Sequence, residues 1–209
     1  MEDERSGPGL ASIVERLEEG GIVTIAGLGD SLTYGWMVQR GFFDRFVLGL
    51  KGCYERARID PVNAGIPGDT AAGGLRRIGP VLDRSPDVMV VQFALNDAFA
   101  GFGPDAFGQN LEQIARTAAD AGVVPVLATS CPLMMEAEQR LADGYYGRIR
   151  DLARKLDIPL ADLEQFWLGK TGPVGQRDDL FLSDGVHPTD EGHQLMADGL
   201  LALFAATGE

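Results

Sequence analysis

The sequence predicts an α/β protein, a three-layer α/β/α sandwich built on a five-stranded parallel sheet. Short apolar runs alternate with amphipathic segments along the whole chain, and glycine-rich turns follow several of these runs. The run at residues 88–94 is apolar almost throughout, as is typical of a strand at the centre of a parallel sheet. This alternation favours helices on both faces of the sheet.

Five segments have the composition of strands, at residues 22–26, 59–63, 88–94, 123–128 and 158–161. The second contains Pro61, which cannot donate a hydrogen bond to a neighbouring strand, so we expect it near a sheet edge.

The segments between the strands have helical periodicity. A short amphipathic helix is predicted at residues 11–19, and Thr70 and Thr189 are suitable caps for later helices. We expect Arg76 and Arg77 on the solvated face of the helix that Thr70 caps. Residues 168–185 are predicted to form a loop, and His193 is interpreted as a solvated or capping side chain of the last helix.

Composition limits the function. A chain of 209 residues with 45% apolar residues fits a single domain, 1–209. A net charge of −13 argues against nucleic acid and against stable association with an anionic membrane. The oligomeric state is left open. The acidic first nine residues lack the apolar segment of a secretory signal, which favours a cytoplasmic location.

Cofactor sites find little support in the sequence. Two histidines, two distant cysteines and scattered carboxylates have no metal-ligand spacing. A dinucleotide turn would require glycine at Leu32, a P-loop would require glycine at Glu164, and a G-x-S-x-G elbow would require glycine at Thr33. We therefore expect no cofactor and no metal.

One serine stands at the turn after the first strand, where a parallel sheet binds its ligands. Ser31 lies between an apolar strand and a segment that can begin a helix, so its hydroxyl is exposed and close to the positive end of that helix. A serine hydroxyl needs a base to accept its proton. His187 precedes the last helix, and Asp184, three residues earlier, can orient its ring.

Acyl transfer also requires hydrogen-bond donors for the oxyanion. The Ser31 backbone N–H is one candidate, Gly68 in the turn after the second strand is another, and the Asn96 side-chain amide after the third strand is a further one. The loops that carry these residues are all expected at the same edge of the sheet.

Four blocks of sequence carry a resemblance to a known family. They read Gly-Asp-Ser-Leu-Thr at 29–33, Gly-Ile-Pro-Gly-Asp-Thr at 65–70, Leu-Asn-Asp at 95–97 and Asp-Gly-Val-His-Pro at 184–188. In this order they resemble the GDSL (SGNH) esterases and lipases, especially the thioesterase I, lysophospholipase and arylesterase branch.

The resemblance implies the flavodoxin-like SGNH hydrolase fold, with Ser31 as nucleophile, His187 as base and Asp184 as its orienter. It also implies an oxyanion hole of Ser31, Gly68 and Asn96.

The expected activity is hydrolysis of small to medium acyl esters or thioesters through an acyl-enzyme. A carbohydrate O-acetyl esterase or acetyltransferase is the alternative, and a non-catalytic binding module is a weaker one. Ala94 replaces the usual glycine of the third block, and its methyl group is expected to crowd the acyl pocket or to shift the Asn96 loop slightly. The following apolar side chains line an acyl groove or pack in the core: Phe99, Phe102, Leu133, Met134 and Met135.

Overall fold

The computed structural model describes residues 9–173 and 178–207 and has the predicted architecture. Five parallel strands form one sheet in the order β2-β1-β3-β4-β5. The strands are β1 Ile22–Gly29, β2 Arg58–Gly65, β3 Val88–Gln92, β4 Val124–Ala128 and β5 Leu160–Ala161. This strand order reverses direction between β1 and β3, and at such a switch point a doubly wound sheet forms its ligand crevice.

Helices cover both faces of the sheet. α1, α3 and α10 pack together as one layer, and α4, α7 and α8 pack together as another. The helices are α1 Leu10–Glu18, α2 Ser31–Tyr34, α3 Phe42–Cys53, α4 Ala71–Arg76, α5 Ile78–Leu82, α6 Leu95–Phe99, α7 Pro104–Asp120, α8 Glu136–Leu156, α9 Leu163–Thr171 and α10 Asp190–Thr207.

Burial along the strands follows their place in the sheet. Every residue of β3 and β4 is buried, because helices cover both faces of these strands. β2, with Pro61, is an edge strand whose exposure varies from residue to residue, as predicted. Among the described residues, no helix has the length and apolar character needed to cross a bilayer.

Three segments differ from the sequence prediction. The helix expected to begin after Thr70 breaks into α4 and α5 at Arg77, because Pro80 has no N–H to donate to the carbonyl of Arg76. Residues 95–99 form the short helix α6 instead of a loop. α9 continues to Thr171, inside the predicted loop of residues 168–185.

Part of that predicted loop, residues 174–177, lies outside the described residues, as do residues 1–8 and 208–209. The single-domain organisation of 1–209 stays a prediction.

Candidate active site

Ser31 is the first residue of α2, two residues after the last residue of β1. The preceding Asp30 caps this helix, since its Oδ1 accepts the backbone N–H of Leu32 at 2.9 Å. The helix ends after one turn at Gly35, where φ is 85°. The positive end near Ser31 therefore comes from the backbone N–H groups of a single turn and not from the macrodipole of a longer helix.

A glycine at the end of β1 lets the strand turn this sharply. A Cβ built on Gly29 would overlap the Thr33 hydroxyl and lie 2.6 Å from the Gln92 carbonyl oxygen. The tight turn brings the hydroxyl of Ser31 to the carboxyl edge of the sheet.

His187 and Asp184 approach Ser31 from the loop before α10. The His187 Nε2 lies 2.9 Å from the Ser31 Oγ, across 156 residues of chain. The His187 Nδ1 lies 2.7 Å from the Asp184 Oδ2. The structure therefore joins the three residues in one hydrogen-bonded chain, in the order that the sequence predicts.

The loop of Asp184 is pre-formed by its own hydrogen bonds. The Asp184 Oδ1 accepts the backbone N–H groups of Val186 and His187, each at 2.9 Å. Burial acts to raise the pKa of Asp184, but these two N–H groups and the His187 ring outweigh it, so the pKa lies below the ordinary aspartate value. A carboxylate that stays ionised keeps a proton on the His187 Nδ1 and leaves Nε2 free to accept one.

Asn96 belongs to the same site. It lies on α6, just beyond β3, and its Nδ2 donates one hydrogen bond to the Asp69 carbonyl oxygen at 2.9 Å. An amide nitrogen carries two hydrogens, so a second donor remains for a ligand.

Gly68 lies in the turn between β2 and α4, with a φ of +80° that favours glycine. It is exposed and does not line the cleft around Ser31, although the neighbouring Asp69 accepts the Asn96 amide. The structure thus brings Ser31, Asp184, His187 and Asn96 to one cleft and places Gly68 beside it.

The cleft is open and has a volume of about 200 Å³. Its walls combine the polar residues of the site with apolar side chains from α2, α6 and the loop before α10. It is lined by Asp30, Ser31, Leu32, Leu95, Asn96, Phe99, Asp184, Val186 and His187.

The predicted acyl groove is only partly formed. Phe99 lines the cleft with its side chain half exposed, whereas Phe102 and Met135 are exposed outside its lining and Leu133 is buried in the core. Ala94 is also fully buried and does not line the cleft. Its methyl group is therefore not part of the cleft wall, and the expected shift of the Asn96 loop stays a prediction.

His193 is buried and not solvated, so only the capping role of the two that the sequence suggested fits the structure. Its Nδ1 accepts the backbone N–H of Phe42 at 3.1 Å, so it caps the start of α3. Burial lowers the pKa of His193 to about 4, and the charge of Arg45 acts in the same direction.

A buried polar network beneath Ser31 was not predicted from the sequence. Gln92, at the end of β3, accepts the Thr33 hydroxyl at 2.7 Å and donates to Ser130 at 2.9 Å and to Asp30 at 3.3 Å. Burial raises the pKa of Asp30 to about 7, against hydrogen bonds from Leu32 and Gln92 that act to lower it. The sequence signal for this network was Gln92 at the end of an apolar strand, because a buried side-chain amide needs hydrogen-bond partners.

The predicted position of Arg77 on the solvated face of its helix is wrong. Its side chain does not point into solvent but bonds to Asp69 and to the ends of β1 and β2. Among residues 9–173 and 178–207, no group of three or more histidine, cysteine, aspartate or glutamate side chains is arranged to hold a metal ion.

The fold and the site define a class of enzyme. A serine hydroxyl bonded to a histidine, which an aspartate orients, is the machinery of a serine hydrolase, and here it lies at the switch point of a parallel sheet.

A comparison with protein families identifies the particular group. The model of the GDSL-like lipase/acylhydrolase family matches residues 28–195, and the chain belongs to this family. The predicted resemblance is confirmed, and the chain is a serine hydrolase of carboxylic esters.

Individual proteins are similar to this chain in sequence or in fold. Thioesterase 1/protease 1/lysophospholipase L1 of Escherichia coli is 29% identical over 178 residues, which are 84% of this chain and 80% of that protein. The arylesterase of Vibrio mimicus is 27% identical over 141 residues, 67% of each chain. The structure of a catalytic mutant of an acetylxylan esterase from Geobacillus stearothermophilus superposes with a TM-score of 0.76 at 18% identity, covering 87% of this chain and 94% of that one.

Proposed function

We propose that the protein hydrolyses small to medium acyl esters or thioesters through an acyl-enzyme formed on Ser31. The observation that carries this proposal is the unbroken hydrogen-bonded chain from the Ser31 hydroxyl through His187 to Asp184. In this chain each group faces the partner that its role requires.

The proposed reaction has two steps. The Ser31 Oγ attacks the carbonyl carbon while its proton passes to the His187 Nε2, and His187 then gives this proton to the departing alcohol or thiol. Water enters, loses a proton to His187 and attacks the acyl-enzyme, and His187 returns a proton to Ser31 as the acid leaves. Asp184 remains ionised and stabilises the imidazolium in both steps.

The oxyanion of each tetrahedral intermediate needs donors that are already in place. We assign the Ser31 backbone N–H, the second Asn96 amide hydrogen and the Gly68 backbone N–H to this role. Support comes from the Asn96 amide at the cleft and from the hydrogen bond that links it to the loop of Gly68. Such donors stabilise charge that develops only in the transition state.

The substrate class rests on the cleft and on the relatives. A volume of about 200 Å³ with Leu95 and Phe99 in its walls suits a short acyl chain. The curated relatives are named as a thioesterase and lysophospholipase and as an arylesterase. A carbohydrate O-acetyl ester as substrate, or transfer of acetyl to a carbohydrate, is the other outcome that the test distinguishes. The cytoplasmic location stays a prediction.

The experiment compares the wild-type protein with Ser31→Ala. We expect the wild type to hydrolyse p-nitrophenyl acetate and butyrate with a burst of acyl-enzyme, and the variant to be folded and inactive. A panel of acyl esters, acyl thioesters and acetylated xylo-oligosaccharides, with and without sugar acceptors, identifies the substrate class. Undiminished hydrolysis by Ser31→Ala would refute the proposal.

A further inference from the structure

Arg77 lies at the break between α4 and α5, and its guanidinium makes three hydrogen bonds. Its Nε donates to the Asp69 Oδ2 at 2.6 Å, its Nη1 to the Ala64 carbonyl oxygen at 2.6 Å and its Nη2 to the Gly29 carbonyl oxygen at 2.9 Å. The side chain is only 21% exposed and that of Asp69 only 15%. All three guanidinium nitrogens are therefore used in one fixed geometry.

Two of these acceptors close strands that lead into the site. Gly29 is the last residue of β1, two residues before Ser31, and its carbonyl oxygen also accepts the backbone N–H of Ile66 at 3.0 Å. Ala64 is the last but one residue of β2 and precedes the turn of Gly68. The guanidinium thus joins the ends of β1 and β2 where their loops enter the site.

The third acceptor extends this connection to Asn96. The Asp69 Oδ1 accepts the backbone N–H of Thr70 at 2.9 Å, and the Asp69 carbonyl oxygen accepts the Asn96 Nδ2 at 2.9 Å. Arg77 holds Asp69, and Asp69 holds the Asn96 amide. A single cation therefore connects the three segments that carry Ser31, Gly68 and Asn96.

From these contacts we infer that Arg77 is a positioning residue for the oxyanion site, an inference that rests on the proposed function. Arg77 does not line the cleft, so it acts on the substrate through the groups that it holds. Loosening these groups makes the donors reorganise as the oxyanion forms, which raises the barrier of the chemical step. Binding of the ground-state ester depends on the cleft walls and changes little.

The experiment measures kcat and KM of Arg77→Ala and Arg77→Lys with p-nitrophenyl butyrate. Loss of alignment at a reacting centre typically costs about 10²-fold in rate, so we expect kcat of Arg77→Ala to fall by about this factor while KM stays within about threefold. Arg77→Lys keeps the positive charge but cannot reproduce the three hydrogen bonds of the guanidinium. Its kcat is therefore expected to lie between those of the wild type and of Arg77→Ala. Added guanidinium, at concentrations below those that unfold the protein, should raise kcat of Arg77→Ala.

Arg76 provides the matched control. It precedes Arg77 in the chain, but its side chain is exposed. Arg76→Ala should keep the wild-type kcat.

A substitution at Gly73 can disturb the contact between Asp69 and Arg77 without changing Arg77 itself. A Cβ on Gly73 would overlap the Asp69 carboxylate, whereas a Cβ on Gly79 meets no atom within 4 Å. Both substitutions to alanine favour the helix, so weaker helix formation cannot explain a loss of rate. We expect kcat to fall in Gly73→Ala and to be unchanged in Gly79→Ala.

The outcomes separate this inference from the proposed function. If the wild type hydrolyses the ester and the kcat of Arg77→Ala stays within about threefold of the wild-type value, the positioning role is overturned. A folded Arg77→Ala that is slow but not rescued by guanidinium also overturns it. If Arg77→Ala does not fold, normal kcat values in both Arg77→Lys and Gly73→Ala overturn it. A wild type without hydrolase activity refutes the proposed function and the inference together.

Discussion

Asp184 holds His187 at two points, through the ring and through the backbone. Its Oδ2 lies 2.7 Å from the His187 Nδ1, and its Oδ1 accepts the His187 backbone N–H at 2.9 Å. The ring orientation and the loop conformation therefore depend on the same carboxylate.

Asp184→Asn tests this double contact. The amide oxygen can still accept the backbone N–H, but the amide nitrogen then faces Nδ1 and forces the wrong tautomer on His187. We expect kcat to fall by about 10²- to 10⁴-fold with little change in KM. Asp151→Asn, which changes an exposed carboxylate on α8, is the control and should keep full activity. A normal kcat in Asp184→Asn would contradict the proposed role.

Asn96→Ala tests the side-chain donor of the oxyanion site. The substitution removes the amide and also releases the Asp69 carbonyl oxygen, so we expect kcat to fall by about 10²- to 10³-fold. Steady-state kinetics with a short-chain ester measures this loss. The matched control is Asn110→Ala on α7, outside the cleft lining. Equal activities in the two variants would exclude Asn96 as a donor.

Phe99→Ala tests the apolar wall of the cleft. Phe99 lines the cleft and Phe102 does not, although the two residues are similarly exposed, at 46% and 50%. Removing the Phe99 ring takes apolar contact from the acyl chain, so kcat/KM should fall by roughly tenfold for butyryl esters and less for acetyl esters. Phe102→Ala should leave this preference unchanged. The same acyl preference in both variants would show that Phe99 does not contact the acyl group.

The raised pKa of Asp30 predicts a pH-dependent stability. Burial moves this pKa from 3.8 to about 7, so between these values the folded state binds the proton more strongly than the unfolded state. This contribution to the free energy of unfolding is fully present below pH 3.8 and is lost as the pH rises through about 7. One proton contributes a slope of at most about 1.4 kcal/mol per pH unit.

Urea unfolding of the wild type and of Asp30→Asn across this pH range measures the effect. The variant has no group to titrate at this position, so its stability should fall less steeply. Asp97, whose pKa burial raises to about 6, contributes with the same sign in both proteins. Parallel pH profiles would mean that Asp30 titrates normally.

Local chemistry accounts for the residues of the candidate site whose proximity could be predicted from the sequence. A strand, a glycine turn and a serine are neighbours in sequence, and Asp184 reaches His187 across three residues, so short-range geometry is enough to pair them. The order of strands and helices also determines which ends of the sheet its loops occupy. For these reasons the sequence predicts the sheet and the candidate nucleophile, base and orienter.

Contacts between distant segments could not be predicted from the local sequence. Arg77 leaves the solvated face because Pro80 breaks the helix and turns its side chain towards the ends of β1 and β2. His193 is buried because α10 packs against α3, where the N–H of Phe42 needs an acceptor.

The order of polar and apolar residues along the chain thus specifies the sheet, its turns and the three candidate residues Ser31, His187 and Asp184. How Ser31, Gly68 and Asn96 come together depends on contacts between distant segments. One guanidinium bonds to the ends of β1 and β2 and to Asp69, whose carbonyl oxygen in turn accepts the Asn96 amide. Periodicity records which residues are buried, but it contains no information on the partners that a buried polar group will find.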